Sequence, residues 1–243
     1  MDSFIPNKEI LRDLITNAYV LDLETTLNST SNFSGSPHDP ANRIVAAAGM
    51  FSGFNRLYAG ITLKGKPTPW PLKKQHRVYG HLAYEAGMLD GLDAVADWLE
   101  GLHNLCHAPI LLVGHNIAFD LQYTIPRVGM RFPWHNVLIW DTMLAEFYLT
   151  GQEATMTSLE KACGNHSIPF VKDTEVTEQF QMGIGSDKIN PTTLLEYLTL
   201  DVQSTNRLFM AQHQAIHKNA GVLGLRYLVG GVPAGAATAW AEC

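Results

Sequence analysis

A chain of 243 residues, 46% hydrophobic and 16% charged, has the composition of a globular protein and the length for one large α/β domain. It has no charge-free apolar run of about 18 residues, which excludes a transmembrane helix, and its start, MDSFIPNKEILRDL, is too polar for a secretory signal. The formal net charge of −6 does not advertise a nucleic-acid binder, although carboxylates that hold metal ions would place negative charge at the site itself. Three cysteines, Cys106, Cys163 and Cys243, are too few for a disulfide framework and fit a reducing cytoplasm.

In chain order, residues 4–16 read as a short leading helix and 18–24 as a strand. The segment NSTSNFSGSPHDPAN (28–42) is a loop by its Ser, Asn, Pro and Gly content. RIVAAAGMF (43–51) and RLYAGITL (56–63) flank SGFN and predict a hairpin. A polar connection carrying the basic patch KKQHR (73–77) leads to an amphipathic helix over 90–105, with Leu92, Val95, Leu99 and Leu102 at helical spacing. PILLVGHN (109–116) predicts a buried strand, followed by a helix around AFDLQYTI that Pro126 should end. VLIW (137–140) predicts another strand, with Asp141 capping the helix TMLAEFYLT. TSLEKACG (157–164) predicts a short helix with Gly164 at its end, and 165–190 reads as irregular and polar. A long helix is expected over 191–218, with Pro191 at its start. The last stretch, 219–243, is apolar but broken by Gly and Pro, a packed or flexible tail rather than a membrane anchor. Paired strands early and alternating helices later predict a mixed sheet with helices packed on it, in one domain.

Candidate chemistry starts at AYVLDLETT (18–26), where Asp22 and Glu24 interrupt an apolar strand. Side chains at i and i+2 share a strand face, so the two acids point one way and Leu21 and Leu23 the other. Two carboxylates that close repel, and one would take up a proton unless a cation intervenes. Hard divalent ions such as Mg²⁺ or Mn²⁺ prefer carboxylate oxygens. Two further acids are placed to converge. Asp120 follows a buried strand in GHNIAFD, and Asp201 lies in YLTLD with Tyr197 one helical turn before it on the same face.

Asp-x-Glu in a first strand, then GHNIAFD, then Tyr-x-x-x-Asp on a late helix resembles the DEDD superfamily of 3′–5′ exonucleases, and the tyrosine resembles its DEDDy branch. GSPHDPANRIV and IWDTMLAEFYLTGQEATMTSLEKACG resemble, more narrowly, the proofreading exonuclease domain of bacteriophage-type family A DNA polymerases. The likeness spans roughly residues 18–212. It implies a ribonuclease H-like fold: a mixed β-sheet flanked by helices in a single exonuclease domain over 18–218, with 1–17 as an N-terminal extension and 219–243 as a tail. It implies two divalent cations, Mg²⁺ or Mn²⁺, with Asp22, Glu24 and Asp201 at one and Asp22 and Asp120 at the other, and Tyr197 orienting the attacking water. It also implies that Leu23, Thr25 and Asn116 help to seat the 3′-terminal nucleotide. The loop 28–42 departs from the family pattern by being longer than the turn usual after the first motif in cellular proofreading domains.

The implied activity is hydrolysis of terminal DNA phosphodiesters to 5′-mononucleotides by a stand-alone, cytoplasmic proofreading nuclease of phage type. Its partner would be a DNA 3′ end, single-stranded or frayed, and the tail 219–243 would offer a dock for a separately encoded polymerase. Two alternatives are a ribonuclease D-like enzyme acting on RNA 3′ ends and a catalytically silent exonuclease-fold binding module. A helix cap fully explains Asp141, whereas His115 either touches substrate or is satisfied by its neighbours. A rival zinc reading uses His103, His107, Cys163 and His166, which are permissible ligands but form no recognised finger. GIGSDK (183–188) lacks Walker spacing and reads as a loop, and KKQHR fits a solvated turn better than a phosphate-binding patch.

Overall fold

Strand β1 (Ala18–Thr25) is apolar on both faces over its first half, and the architecture grows outward from it. The computed structural model describes residues 18–27, 35–37, 39, 41–52, 56–63, 66–68, 83–85, 110–128, 137–153, 157–170 and 174–218. The expected leading helix, the helix over 90–105, the KKQHR patch, His103, His107, the extension 1–17 and the tail 219–243 lie outside the described residues.

β1 pairs antiparallel with β2 (Ile44–Phe51) and parallel with β6 (Ile110–Gly114). β2 continues antiparallel to β3 (Arg56–Leu63), the expected hairpin, and β6 continues parallel to β7 (Val137–Asp141). β3 also carries β4 (Lys66–Thr68), antiparallel, and β5 (Ala83–Glu85), parallel. The result is a seven-stranded mixed sheet of order β4-β3-β2-β1-β6-β7, with β5 beside β3. The short strands β4 and β5 fall where the sequence reads only as a polar connection, because three residues are too few to display an alternation.

Helices cover both faces. α1 (Ile117–Val128) lies over Tyr19, Leu21, Leu23, Ile110 and Leu112, burying Ile117, Leu121 and Ile125 against them. The opposite face carries the long helix α5 (Pro191–Lys218). Its Leu194, Leu195, Leu198, Val202, Phe209 and Ile216 bury with Ala18, Val20, Ala46 and Ala48. Full burial of one large apolar side chain contributes about 1.5–3 kcal/mol, so this stripe holds α5 far more firmly than helix propensity does. α5 begins as expected: Asn190 Oδ1 accepts from the Thr192 N–H (2.9 Å) and the Thr193 N–H (3.4 Å), with Pro191 at the first helical position.

Three shorter helices complete that side. α2 (Thr142–Leu149) is capped by Asp141, whose Oδ1 accepts from the Met143 N–H (2.9 Å) and the Leu144 N–H (3.4 Å). α3 (Leu159–Asn165) starts at Ser158, whose Oγ accepts from the Lys161 N–H (3.3 Å), and it runs one residue past Gly164. α4 (Thr174–Gln181) corrects the expectation of irregular chain over 165–190. Its sequence, TEVTEQFQ, offers only Val176 and Phe180 as an apolar pair, too narrow a stripe to read as a helix before its neighbours are in place.

α1 also differs from expectation, since it passes through Pro126 and ends at Val128. The proline forfeits one hydrogen bond, to the Gln122 carbonyl, in the final turn, where the loss is least disruptive.

A buried polar cluster ties α2, α3 and α5 together. Glu146, 1% exposed, accepts from Asn165 Nδ2 (2.9 Å) and Gln212 Nε2 (3.0 Å) and pairs with His166 Nε2 (2.8 Å). Gln212 Nε2 also reaches the Thr142 carbonyl (2.8 Å), and its Oε1 faces Trp140 Nε1 (3.4 Å). Burial acts to raise the Glu146 pKa, but the hydrogen bonds from His166, Asn165 and Gln212 outweigh it and hold the carboxyl low. Among the described residues, no helix is long and apolar enough to cross a membrane.

The turn from β6 into α1 depends on Gly114. A Cβ there would lie 2.8 Å from Ile117 Cβ, closer than real side chains approach. We expect Gly114→Ala to destabilise the fold by about 1–3 kcal/mol in urea denaturation; an unchanged midpoint would show that the turn gives way freely.

Candidate active site

In β1, Ala18 and Val20 face α5, whereas Tyr19, Leu21 and Leu23 face α1. Strand alternation then carries Asp22 and Glu24 onto the α5 face at the carboxyl end of the strand. Because β1, β6 and β7 are parallel, their carboxyl ends open on one edge of the sheet, where α/β folds commonly bind ligands. A register shift between Glu24 and Thr25 marks the end of regular pairing with β2.

Each acid arrives from a different direction. Asp120 sits in the first turn of α1, 4% exposed, and its Oδ1 accepts from the Leu23 backbone N–H (3.0 Å). That same N–H also acts on the Asp22 carboxyl, so the strand and helix acids meet around one peptide group. Glu24 Oε2 accepts from the Ser186 hydroxyl (3.0 Å). From α5, the Tyr197 hydroxyl donates to the Asp201 carboxylate, as the one-turn spacing predicts.

The electrostatics of this group are one-sided. Burial raises Asp22 well above the usual carboxylate range, and the charges of Asp120, Asp201 and Glu24 push it further. Glu24 is pushed up to about 8, chiefly by burial, with the Ser186 hydrogen bond opposing and Asp201 adding. Burial is also the largest cause for Asp120, which is raised well above its ordinary value, and for Asp201, raised to about 6. Burial first, and then the charges of Asp201 and Glu24, raise the Tyr197 hydroxyl far above a normal phenol. Among the described residues, every charge that raises or lowers these four carboxyls is another carboxylate; no Lys or Arg offsets them.

The residues expected to seat a nucleotide occupy two settings. Leu23 and Thr25 are 5% and 4% exposed; the Leu23 amide is engaged by Asp120, and its side chain belongs to the core under α1. Asn116 is exposed at the end of β6 with φ of 59°, a left-handed conformation that asparagine tolerates better than most residues. Its backbone N–H donates to Asp141 Oδ1 (3.0 Å), so Asp141 fixes this turn as well as capping α2. His115 is satisfied by neighbours: Nδ1 meets Thr142 Oγ1 (2.9 Å) and Nε2 meets the Thr157 carbonyl (2.8 Å). Burial is the main reason its pKa is lowered. The residues of the zinc alternative that are described have other partners, Cys163 lying within 4.0 Å of the Ser204 carbonyl and His166 bound to Glu146.

Two contributors carry no signal in the sequence. Ser186 opens a 3-10 turn (Ser186–Lys188) inside the stretch read as a loop, and its hydroxyl is the partner of Glu24 across 162 residues of chain. Phe180 of α4 stacks edge-on against the Tyr197 ring, with centroids 6.0 Å apart and planes at 79°. Only the last turns of chain before α5, once folded back against β1, make either residue meaningful.

Four hard carboxylates without a basic partner among the described residues have the donor chemistry of a divalent-cation site. Among the described residues, no three His, Cys, Asp or Glu side chains are already gathered into a cage. In the arrangement seen, Asp120, Glu24 and Asp201 are each turned onto a protein donor: Leu23 N–H, Ser186 Oγ and Tyr197 Oη. Set against protein-family models and curated protein sequences, the chain matches none.

A carboxyl whose pKa is higher folded than unfolded weakens the fold as pH rises between the two values. For Glu24 that window runs from the ordinary 4.5 to about 8. Without divalent ions, thermal stability should therefore fall across this window, and Asp22→Asn should flatten the decline by removing one of the repelling charges. Identical pH profiles for the two proteins would contradict the mutual repulsion.

Proposed function

We propose that this chain is a cation-dependent 3′–5′ exonuclease of the DEDD type, built on a ribonuclease H-like fold and acting on DNA. The mixed sheet flanked by helices is compatible with that fold. The observation that carries the reading is the convergence of Asp22 and Glu24 from β1, Asp120 from α1 and Asp201 with Tyr197 from α5, with no cationic side chain among the described residues acting on the acids.

In this reading Asp22, Glu24, Asp120 and Asp201 hold two divalent cations. When bound, the ions supply positive charge that stabilises both the entering and the leaving oxygen of an in-line displacement. The remaining work falls to the chain. Tyr197 keeps its proton at any working pH, because burial and the neighbouring acids raise its pKa. It therefore acts as a hydrogen-bonding hydroxyl that orients water and is not itself a base. The Phe180 ring against it restricts its swing. Asn116, exposed at the end of β6, gives the strand terminus a place to approach. The water oxygen bonds to the terminal phosphorus, the bond to the 3′ oxygen of the penultimate nucleotide breaks, and a 5′-mononucleotide leaves while the shortened strand regains a 3′ hydroxyl.

The test is a comparison of 5′-labelled single-stranded DNA, single-stranded RNA and a duplex with a 3′ mismatch, in Mg²⁺ or Mn²⁺ and in chelator. We expect stepwise shortening of DNA that chelator abolishes. Asp22→Ala or Asp201→Ala should lower turnover by about 10³-fold or more without loss of folding. Tyr197→Phe should cost less, on the order of 10-fold, as befits loss of one orienting hydrogen bond. Untouched ends on every substrate, or an Asp22→Ala protein digesting at the normal rate, would contradict the assignment. Preferential digestion of RNA would move the substrate to the ribonuclease alternative.

A further inference from the structure

The four acids differ in what holds them. Asp120 is fixed by a backbone amide of its neighbouring strand, and Asp201 by a tyrosine one turn away on its own helix. Glu24 depends on a distant side chain, the hydroxyl of Ser186, 3.0 Å from its Oε2. Ser186 is 1% exposed, so this hydroxyl cannot serve solvent, and its donation fixes one oxygen of the carboxylate while leaving Oε1 for another partner.

The turn that presents Ser186 is itself fitted against β1. A Cβ on Gly185 would lie 2.9 Å from Asp187 Oδ1 and 3.6 Å from the Leu27 backbone nitrogen. The turn thus packs beside the residue two beyond Thr25. Inside the turn, the Lys188 N–H donates to the Gly185 carbonyl (2.9 Å) and the Ile189 N–H to the Ser186 carbonyl (3.3 Å). Ile189, 2% exposed, then anchors the turn in the core shared with α5. Glu24 has one more rotatable bond than an aspartate, so its carboxylate has the most freedom to lose.

We propose that Ser186 is a positioning residue for Glu24, orienting the carboxylate so that it can serve as a cation ligand. The inference rests on the nuclease reading above and extends it to a residue outside the motifs that carry the resemblance. Partners that orient ligands in this way typically change metal affinity by about 10- to 100-fold when removed.

The experiment uses the full chain and Mn²⁺ binding, followed through the electron paramagnetic resonance signal of the free ion, alongside steady-state cleavage of a single-stranded DNA oligonucleotide. Ser186→Ala should weaken Mn²⁺ binding by about 10-fold or more and lower kcat, with KM for the oligonucleotide unchanged. Ser186→Cys, which keeps the volume but donates weakly, should behave like the alanine variant and covers the case in which alanine perturbs folding. Ser186→Thr should restore binding. Wild-type affinity in both Ser186→Ala and Ser186→Cys, with only a lowered melting temperature, would overturn the positioning role while leaving the nuclease reading standing. A wild-type chain that binds no Mn²⁺ and cleaves nothing would overturn both.

Discussion

Negative charge confined at the edge of a sheet, met by no Lys or Arg among the described residues, is the constraint around which this protein is organised. Burial raises the pKa of Asp22, Glu24, Asp120 and Asp201, and neighbouring carboxylates add to it for the first three, so without help these acids hold protons more readily than free carboxyls do. A fold gains nothing in stability from such an arrangement. Retaining it makes sense where something positively charged from outside completes it, and that is the physical ground for the nuclease reading.

Glu146 makes the contrast plain. It is more deeply buried than most of the acids in the cluster, yet its pKa is lowered, because His166, Asn165 and Gln212 satisfy it. The same chain therefore solves the problem of a buried carboxylate in two ways. Where α2, α3 and α5 must be locked together, partners are supplied; at the carboxyl end of β1, no cationic one is found among the described residues. The locked region has a mechanical consequence for the open one. Gln212 and the stripe from Leu194 to Ile216 fix α5 along its length, and with it the direction in which Tyr197 and Asp201 project.

Much of this was legible from residue order. Period-two alternation in β1 separates Asp22 and Glu24 from Leu21 and Leu23, and the one-turn spacing of Tyr197 and Asp201 brings them into a hydrogen bond. Proline at position 191 and aspartate at position 141 mark helix starts for reasons that are local and therefore readable. What stayed hidden depends on contacts between distant segments. TEVTEQFQ becomes a helix because Val176 finds the core and Phe180 finds Tyr197, and SDK becomes a turn whose Ser186 finds Glu24 and whose neighbour Ile189 finds the core. Pro126 misleads for the opposite reason: the local rule is sound, but one missing bond in a last turn is too small a penalty to stop a helix whose other residues are already packed.

We propose that divalent cations sit among these four carboxylates. Anomalous diffraction from crystals of the wild-type chain soaked in Mn²⁺ addresses it directly. We expect two anomalous peaks at the carboxyl end of β1, in contact with oxygens of Asp22, Glu24, Asp120 and Asp201, and their loss in Asp22→Asn crystals. Saturating Mn²⁺ that leaves this edge of the sheet without a peak, while the four side chains remain as described, would contradict it.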